Sequence, residues 1–358
     1  QADNRTNIYL LGLAYPSAGK DWPRKVNARL LHHVGLSQCL GDGFASGEGI
    51  QDILAVHKSM LFQTDEIDGL LNMINSARDH RHETLMSTLL RLYSSSNSVF
   101  AMRPKAGRPQ GEAIDQPSLV IFGTAVPTCY YQALSERMLT NGFFARMIVV
   151  EGAKRAQGQE PKIVPLPGRI LDTTEWGDRF NPGCGNLENQ HPDPAIVPYT
   201  PDALHYLSAA RIACDEAYAL AEARGDAVAT TVWGRVNENS RKLALLYAIS
   251  RDHRSPKIDQ AAIDWATRFV THQTRRMLFM AQNNVSENPF HADCLRLIQK
   301  LRDAPDRTMP HSQLLKRMKM DAQSFHKLVQ TLSQQGDIEA VSIPTAGRPR
   351  LTYQLLES

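Results

Sequence analysis

Short apolar runs recur through the first 150 residues, each followed by a helical pattern. That alternation restricts the fold more than any other feature of the chain. The runs are NIYLLGL at 7–13, SMLFQT at 59–64, SLVIFGT at 118–124 and FARMIVVE at 144–151. Such runs read as strands buried on both faces. Helical spacing of apolar residues predicts helices at about 21–34, 68–77, 82–94 and 128–139. Strands alternating with helices predict a three-layer α/β core over residues 1–152.

The pattern then changes. Residues 153–200 are rich in Pro, Gly, Gln and Asn and predict a long surface connection. Residues 201–285 carry three long helical patterns and predict an all-α lid. Residues 286–358 predict three short helices and a hairpin, IEAVSI and LTYQLLE around PTAGRPR, together a C-terminal winged helix.

Composition narrows the classes. Hydrophobic residues make 42% and charged residues 22% of the chain, which excludes a disordered chain, a rod and a collagen-like fibre. No 18-residue apolar run exists, so no membrane partner is expected. Five scattered cysteines argue against a disulfide framework or zinc site and for the reducing cytoplasm. The first residue is not Met, so a piece of a longer or processed protein is expected. A net charge of +3 does not point to nucleic acid, and the placement of charge matters more.

Between the first strand and its helix lies Ala14-Tyr-Pro16-Ser17-Ala18-Gly19-Lys20-Asp21. A P-loop needs this context, with backbone N–H groups and the positive helix end cradling phosphates. Pro16, Ser17, Ala18, Gly19, Lys20 and Asp21 would contact nucleotide, with Lys20 on the outer phosphates. Two residues depart from the pattern: Ala14 replaces its first Gly, and Asp21 replaces the Ser or Thr that ligates magnesium. An ordinary strand–turn–helix is the alternative. The strand at 59–64 ends in Asp65-Glu66, about 45 residues after the Gly-Lys turn. ATP hydrolysis needs one acid for the magnesium shell and one to orient water, roles that fit Asp65 and Glu66. The metal candidates are therefore Asp21 and Asp65, and the expected cofactors are ATP and Mg2+. Asp68 reads as a helix cap.

AYPSAGKDWPRKVNARLL, MLFQTDEIDGLL, LVIFGTAVP and NGFFARMIVVE resemble segments of a family of P-loop ATPases from phages and integrated elements. Its members are often fused to primase domains and are related, within the AAA+ superfamily, to the minichromosome maintenance helicases. The resemblance covers 7–155 well and 201–283 more loosely. It implies a three-layer P-loop AAA+ core, ATP-dependent helicase or translocase activity in replication of a mobile element, and assembly with copies of itself into a hexamer. A primase domain is an implied partner. It also implies that Thr124 is a polar sensor, Arg146 an arginine finger and Arg235 the second sensor. Lys242 stands where the related helicases have Arg. A strand-end Thr, a surface Arg in a strand and a solvated helix face are the alternatives.

VFAMRPKAGRPQGEAIDQ carries Arg103, Lys105 and Arg108 around a Gly turn. In the related helicases a hairpin with Lys-Ala-Gly at its tip touches DNA, so the resemblance implies contact with single-stranded or forked DNA here; a solvated loop is the alternative. In the winged helix, Lys327, Arg348 and Arg350 are candidates for phosphate contact. That segment holds ten Lys and Arg against eight Asp and Glu, so protein docking competes with duplex contact. The rival to a motor is a nucleotide-binding scaffold with little turnover, motivated by Ala14 and Asp21.

Overall fold

A computed structural model describes residues 3–44, 46–76, 80–104, 113–152, 157–158, 165–179, 194–284, 289–343 and 350–356. The chain divides into two compact units, Gln1–Met280 and Ala281–Ser358. Among the described residues, no helix is long and apolar enough to cross a membrane.

The first unit is mixed α/β. Its elements begin β1 (Tyr9–Leu13), α1 (Asp21–His33), β2 (Leu40–Asp42), α2 (Gly47–Val56), β3 (Ser59–Thr64), α3 (Ile67–Ser76) and α4 (His80–Ser94). They continue β4 (Val99–Ala101), β5 (Ala113–Asp115), β6 (Ser118–Ala125), α5 (Pro127–Ala133), α6 (Glu136–Thr140), α7 (Phe143–Arg146) and β7 (Met147–Glu151). Then follow α8 (Gly168–Arg179), α9 (Pro201–Ala223), α10 (Ala227–Arg251) and α11 (Gln260–Asn284).

Five strands form one parallel sheet in the order β2-β3-β6-β1-β7. Helices cover both of its faces. Tyr9, Leu11 and Leu13 are at most 1% exposed. The Tyr9 hydroxyl donates to the Leu89 carbonyl of α4 at 2.7 Å. On the other face, Leu10 packs with Ile148 into the apolar cluster of α10 and α11 that includes Val236, Ala266 and Val270. Both faces are therefore apolar, which is why β1 reads as an unbroken apolar run.

α1 tolerates Pro23 because the first turn has no acceptor for its missing N–H. The helix stops at Gly35, whose φ of +78° suits glycine, and Gly35 N donates to the His32 carbonyl at 3.2 Å. β4 and β5 form an antiparallel ladder, Val99 opposite Asp115 and Ala101 opposite Ala113. It is the base of the expected basic hairpin.

Three expectations need correction, and two elements were not expected. The helix expected at 128–139 is two, because Leu134 and Ser135 are extended and Ser135 Oγ accepts from Met138 N to start α6. The strand expected at 144–151 begins only at Met147; its first residues form α7, started by Gly142 at φ +85° with Asn141 Oδ1 accepting from Phe143 N at 2.9 Å. The connection 153–200 contains α8. β2 and α2 had no counterpart, since β2 is a half-buried edge strand of three residues with no apolar run.

The second unit contains α12 (Pro289–Arg302), β8 (Thr308–Pro310), α13 (His311–Met318), α14 (Ala322–Gln335), β9 (Ile338–Ile343) and β10 (Arg350–Leu355). Its strands form an antiparallel sheet in the order β8-β10-β9. Leu297, Leu301, Leu314, Phe325 and Leu332 make its own core. Asp321 caps α14, its Oδ1 accepting from Gln323 N and Ser324 N at 2.9 Å each.

Candidate functional site

Parallel strands aim their carboxyl ends the same way, and open α/β sheets bind ligands at that edge. Here β3, β6 and β1 lie side by side, so the residues after each come together. After β1, Ser17 at φ +62° and Gly19 at φ +83° curl the chain into α1. The amides of Ser17, Gly19 and Lys20 make no backbone hydrogen bond among the described residues. Unpaired amides at a helix start suit an anion. Tyr15 and Trp22 flank this loop and are exposed.

Lys20 Nζ lies 3.2 Å from Asp65 Oδ1. The same oxygen accepts from Thr124 Oγ1 at 2.8 Å and from Glu66 N at 3.0 Å. Arg24 Nη2 lies 2.7 Å from Asp65 Oδ2 and 3.0 Å from Asp21 Oδ1. Partial burial pushes the Asp65 carboxyl up, but hydrogen bonds from Thr124 and Lys20 and the charges of Lys20 and Arg24 outweigh it. The group is held below the usual carboxylate range. Thr124 is 1% exposed and fixed at the end of β6. Glu66 is exposed at φ +49°, a left-handed conformation that costs ~1–2 kcal/mol in a non-glycine residue. Such strain is common where a side chain is aimed for function.

Lys20, Asp21, Asp65, Glu66 and Thr124 are thus brought together. Arg24, Asn27 and Gln63 belong with them and were not expected. Gln63 Nε2 donates to the Arg24 carbonyl at 3.1 Å, and Asn27 Nδ2 donates to Gln63 Oε1 at 2.9 Å. These bonds fasten α1 to β3. Spacing carried a signal for Arg24, which sits three residues after Asp21 on the same helix face.

Magnesium fits this donor set only in part. Two carboxylates are hard oxygen ligands, and magnesium is usually bound by one or two of them together with substrate phosphates. Among the described residues, no group of three or more His, Cys, Asp and Glu side chains could cage a metal. Asp65 and Asp21 would hold the ion, provided a nucleotide completes the shell.

Arg146 and Arg235 lie elsewhere. Lys242 Nζ donates to the Asn7 carbonyl and Oδ1 at 3.0 and 2.7 Å, so α10 meets the chain just before β1, at the end away from Lys20. Lys242 also lies 4.2 Å from the Tyr93 ring centroid and 3.8 Å from Glu238 Oε1. Arg235 is half-buried and pairs with Glu238 Oε2 at 2.7 Å. Tyr93, Ser94, Arg235, Glu238 and Lys242 line a cavity of about 320 Å³. Arg146 is neither a surface residue nor in a strand. It is 9% exposed, and its guanidinium donates to the Gly142 carbonyl at 2.9 Å and Ser94 Oγ at 3.3 Å. Its guanidinium is thus engaged within its own subunit, where it also lies 5.6 Å from the Tyr93 ring centroid.

Of the DNA-contact candidates, Arg103 is exposed and pairs with Glu48 at 3.0 Å. Lys327 is exposed on α14, and Arg350 is exposed at the start of β10. Lys105, Arg108 and Arg348 lie outside the described residues.

No family model matches the chain, and no curated protein matches it significantly.

Proposed function

We propose that this chain is an ATP hydrolase of the AAA+ type, acting as a DNA helicase or translocase in the replication of a phage or mobile element. The observation that carries the reading is the meeting of Lys20, Asp65 and Thr124 beside unpaired loop amides at one sheet edge. In this reading the loop amides bind the phosphates and Lys20 swings from Asp65 onto them. Asp65, oriented by Thr124, would hold the magnesium shell, and Glu66 would orient the attacking water. Magnesium, when bound, neutralises charge on the phosphoryl oxygens.

Arg235 and Lys242 adjoin Asn7, whereas Lys20 lies past the other end of β1. A five-residue strand spans about 16 Å at ~3.3 Å per residue. In this reading Arg235 would meet a nucleotide held by a neighbouring copy, once released from Glu238. The β4–β5 hairpin carries Arg103 at its base and would contact single-stranded DNA through phosphates. The second unit, read as a winged helix, offers Lys327 and Arg350 to DNA.

Steady-state ATP hydrolysis with and without single-stranded DNA tests this, with Lys20→Ala as control. Turnover that rises with DNA and disappears in the variant is expected. The engagement of both Asp65 oxygens favours a second reading, a nucleotide-binding scaffold. ATP binding that depends on Lys20 without turnover would select it.

A further inference from the structure

Asp21 and Asp65 share one cation. The same Arg24 nitrogen, Nη2, lies 3.0 Å from one carboxylate and 2.7 Å from the other. Its position is built in, because Gln63 and Asn27 lock the first turns of α1 onto the strand that ends in Asp65. Arg24 Nε has no hydrogen-bond partner among the described residues, so the guanidinium is held through this edge.

We propose that Arg24 is a resident counter-cation: it occupies the place between Asp21 and Asp65 where a divalent ion would otherwise bind, so the nucleotide-free protein does not take up metal. The inference rests on the nucleotide reading above. It also accounts for Asp21. A carboxylate in that position adds negative charge beside a polyphosphate, and Arg24 cancels it. When phosphates draw Lys20 away, Asp65 loses one of its two cations. Asp65 Oδ1 would then keep only its neutral donors, Thr124 and the Glu66 amide, and could take a metal brought with the phosphates. Without Arg24, Asp21 loses its cation and Asp65 keeps only Lys20, so the two carboxylates together would attract a divalent ion.

The test is a titration with Mn2+ alone, followed by the electron paramagnetic resonance of free Mn2+, on the full chain without nucleotide. Arg24→Gln and Arg24→Met, the latter keeping an apolar stem, are expected to bind Mn2+ at least about 10-fold more tightly than the unaltered protein. Arg24→Lys is expected to stay weak, and Asp21→Asn added to Arg24→Gln to restore weak binding. Folded Arg24→Gln and Arg24→Met proteins with unchanged Mn2+ affinity would overturn the proposal. Should neither fold, Asp21→Asn alone decides. Unchanged, weak Mn2+ binding supports a site already closed by Arg24, and tight binding in the unaltered protein that this variant abolishes overturns it. Labelled ATP separates the two claims. ATP binding with no Arg24 effect on Mn2+ sinks this inference alone, whereas the Mn2+ pattern without ATP binding sinks the nucleotide reading alone.

Discussion

Thr124 Oγ1 donates to Asp65 Oδ1 at 2.8 Å, joining the ends of two neighbouring parallel strands. Thr124→Val removes this bond and keeps the shape. In the proposed reaction it is expected to lower the ATP hydrolysis rate about 10-fold, the equivalent of ~1.4 kcal/mol, with little effect on nucleotide binding. The Asp65 carboxyl is also expected to rise. A carboxyl held low in the folded state stabilises the fold above its unfolded pKa of about 4, and that stability is lost as pH falls through the folded value. Acid unfolding of Thr124→Val, followed by tryptophan fluorescence, should therefore begin at higher pH.

Burial lowers the Lys242 ammonium to about 8; the Glu238 charge opposes this, and Arg235 and Arg146 reinforce it. Below pH 8 the folded protein bears the full cost of a buried charge. Between about 8 and 10.5 the unfolded chain binds more protons, so this group makes stability rise with pH. Lys242→Gln removes that rise. The difference in Tm between the two proteins, measured from pH 7 to 10, should widen in favour of the unaltered protein.

Gly47 starts α2 against α4 with no room for a side chain. An added Cβ would sit 2.8 Å from Thr88 Oγ1, 3.0 Å from the Thr84 carbonyl oxygen and 3.2 Å from Leu85 Cα. Two of these atoms are backbone, which cannot rotate away. Gly47→Ala is expected to destabilise the first unit by ~1–3 kcal/mol, read from urea unfolding.

Phe325 is 1% exposed in the core of the second unit, with its ring against Tyr353 and His311. Because each unit has its own core, Phe325→Ala should cost about 3–5 kcal/mol in residues 281–358. Limited proteolysis should then cut that unit first and leave 1–280 resistant.

Much of the first unit was legible in the chain. Strands β1, β3 and β6 appear as apolar runs, because strands covered on both faces need no polar positions. The three helices α9, α10 and α11 appear through their spacing. β2 was not legible, since a half-buried edge strand leaves no such run. Nor was the break at Leu134 and Ser135, where a cap interrupts a continuous helical pattern.

At the site, the Gly-Lys turn and the Asp65-Glu66 strand end were readable because each is a local pattern at an element boundary. That Lys20, Arg24, Asp65 and Thr124 touch was not, because strand order sets which ends become neighbours. The same holds for Lys242, whose partner Asn7 is 235 residues away, and for Arg146, whose burial depends on Tyr93 and Ser94. Periodicity and turn chemistry act over a few residues, so the sequence by itself determined the α/β elements and the chemistry at their ends. Which charges pair, and which are sealed in, depends on packing between distant segments, and only the tertiary structure decided it.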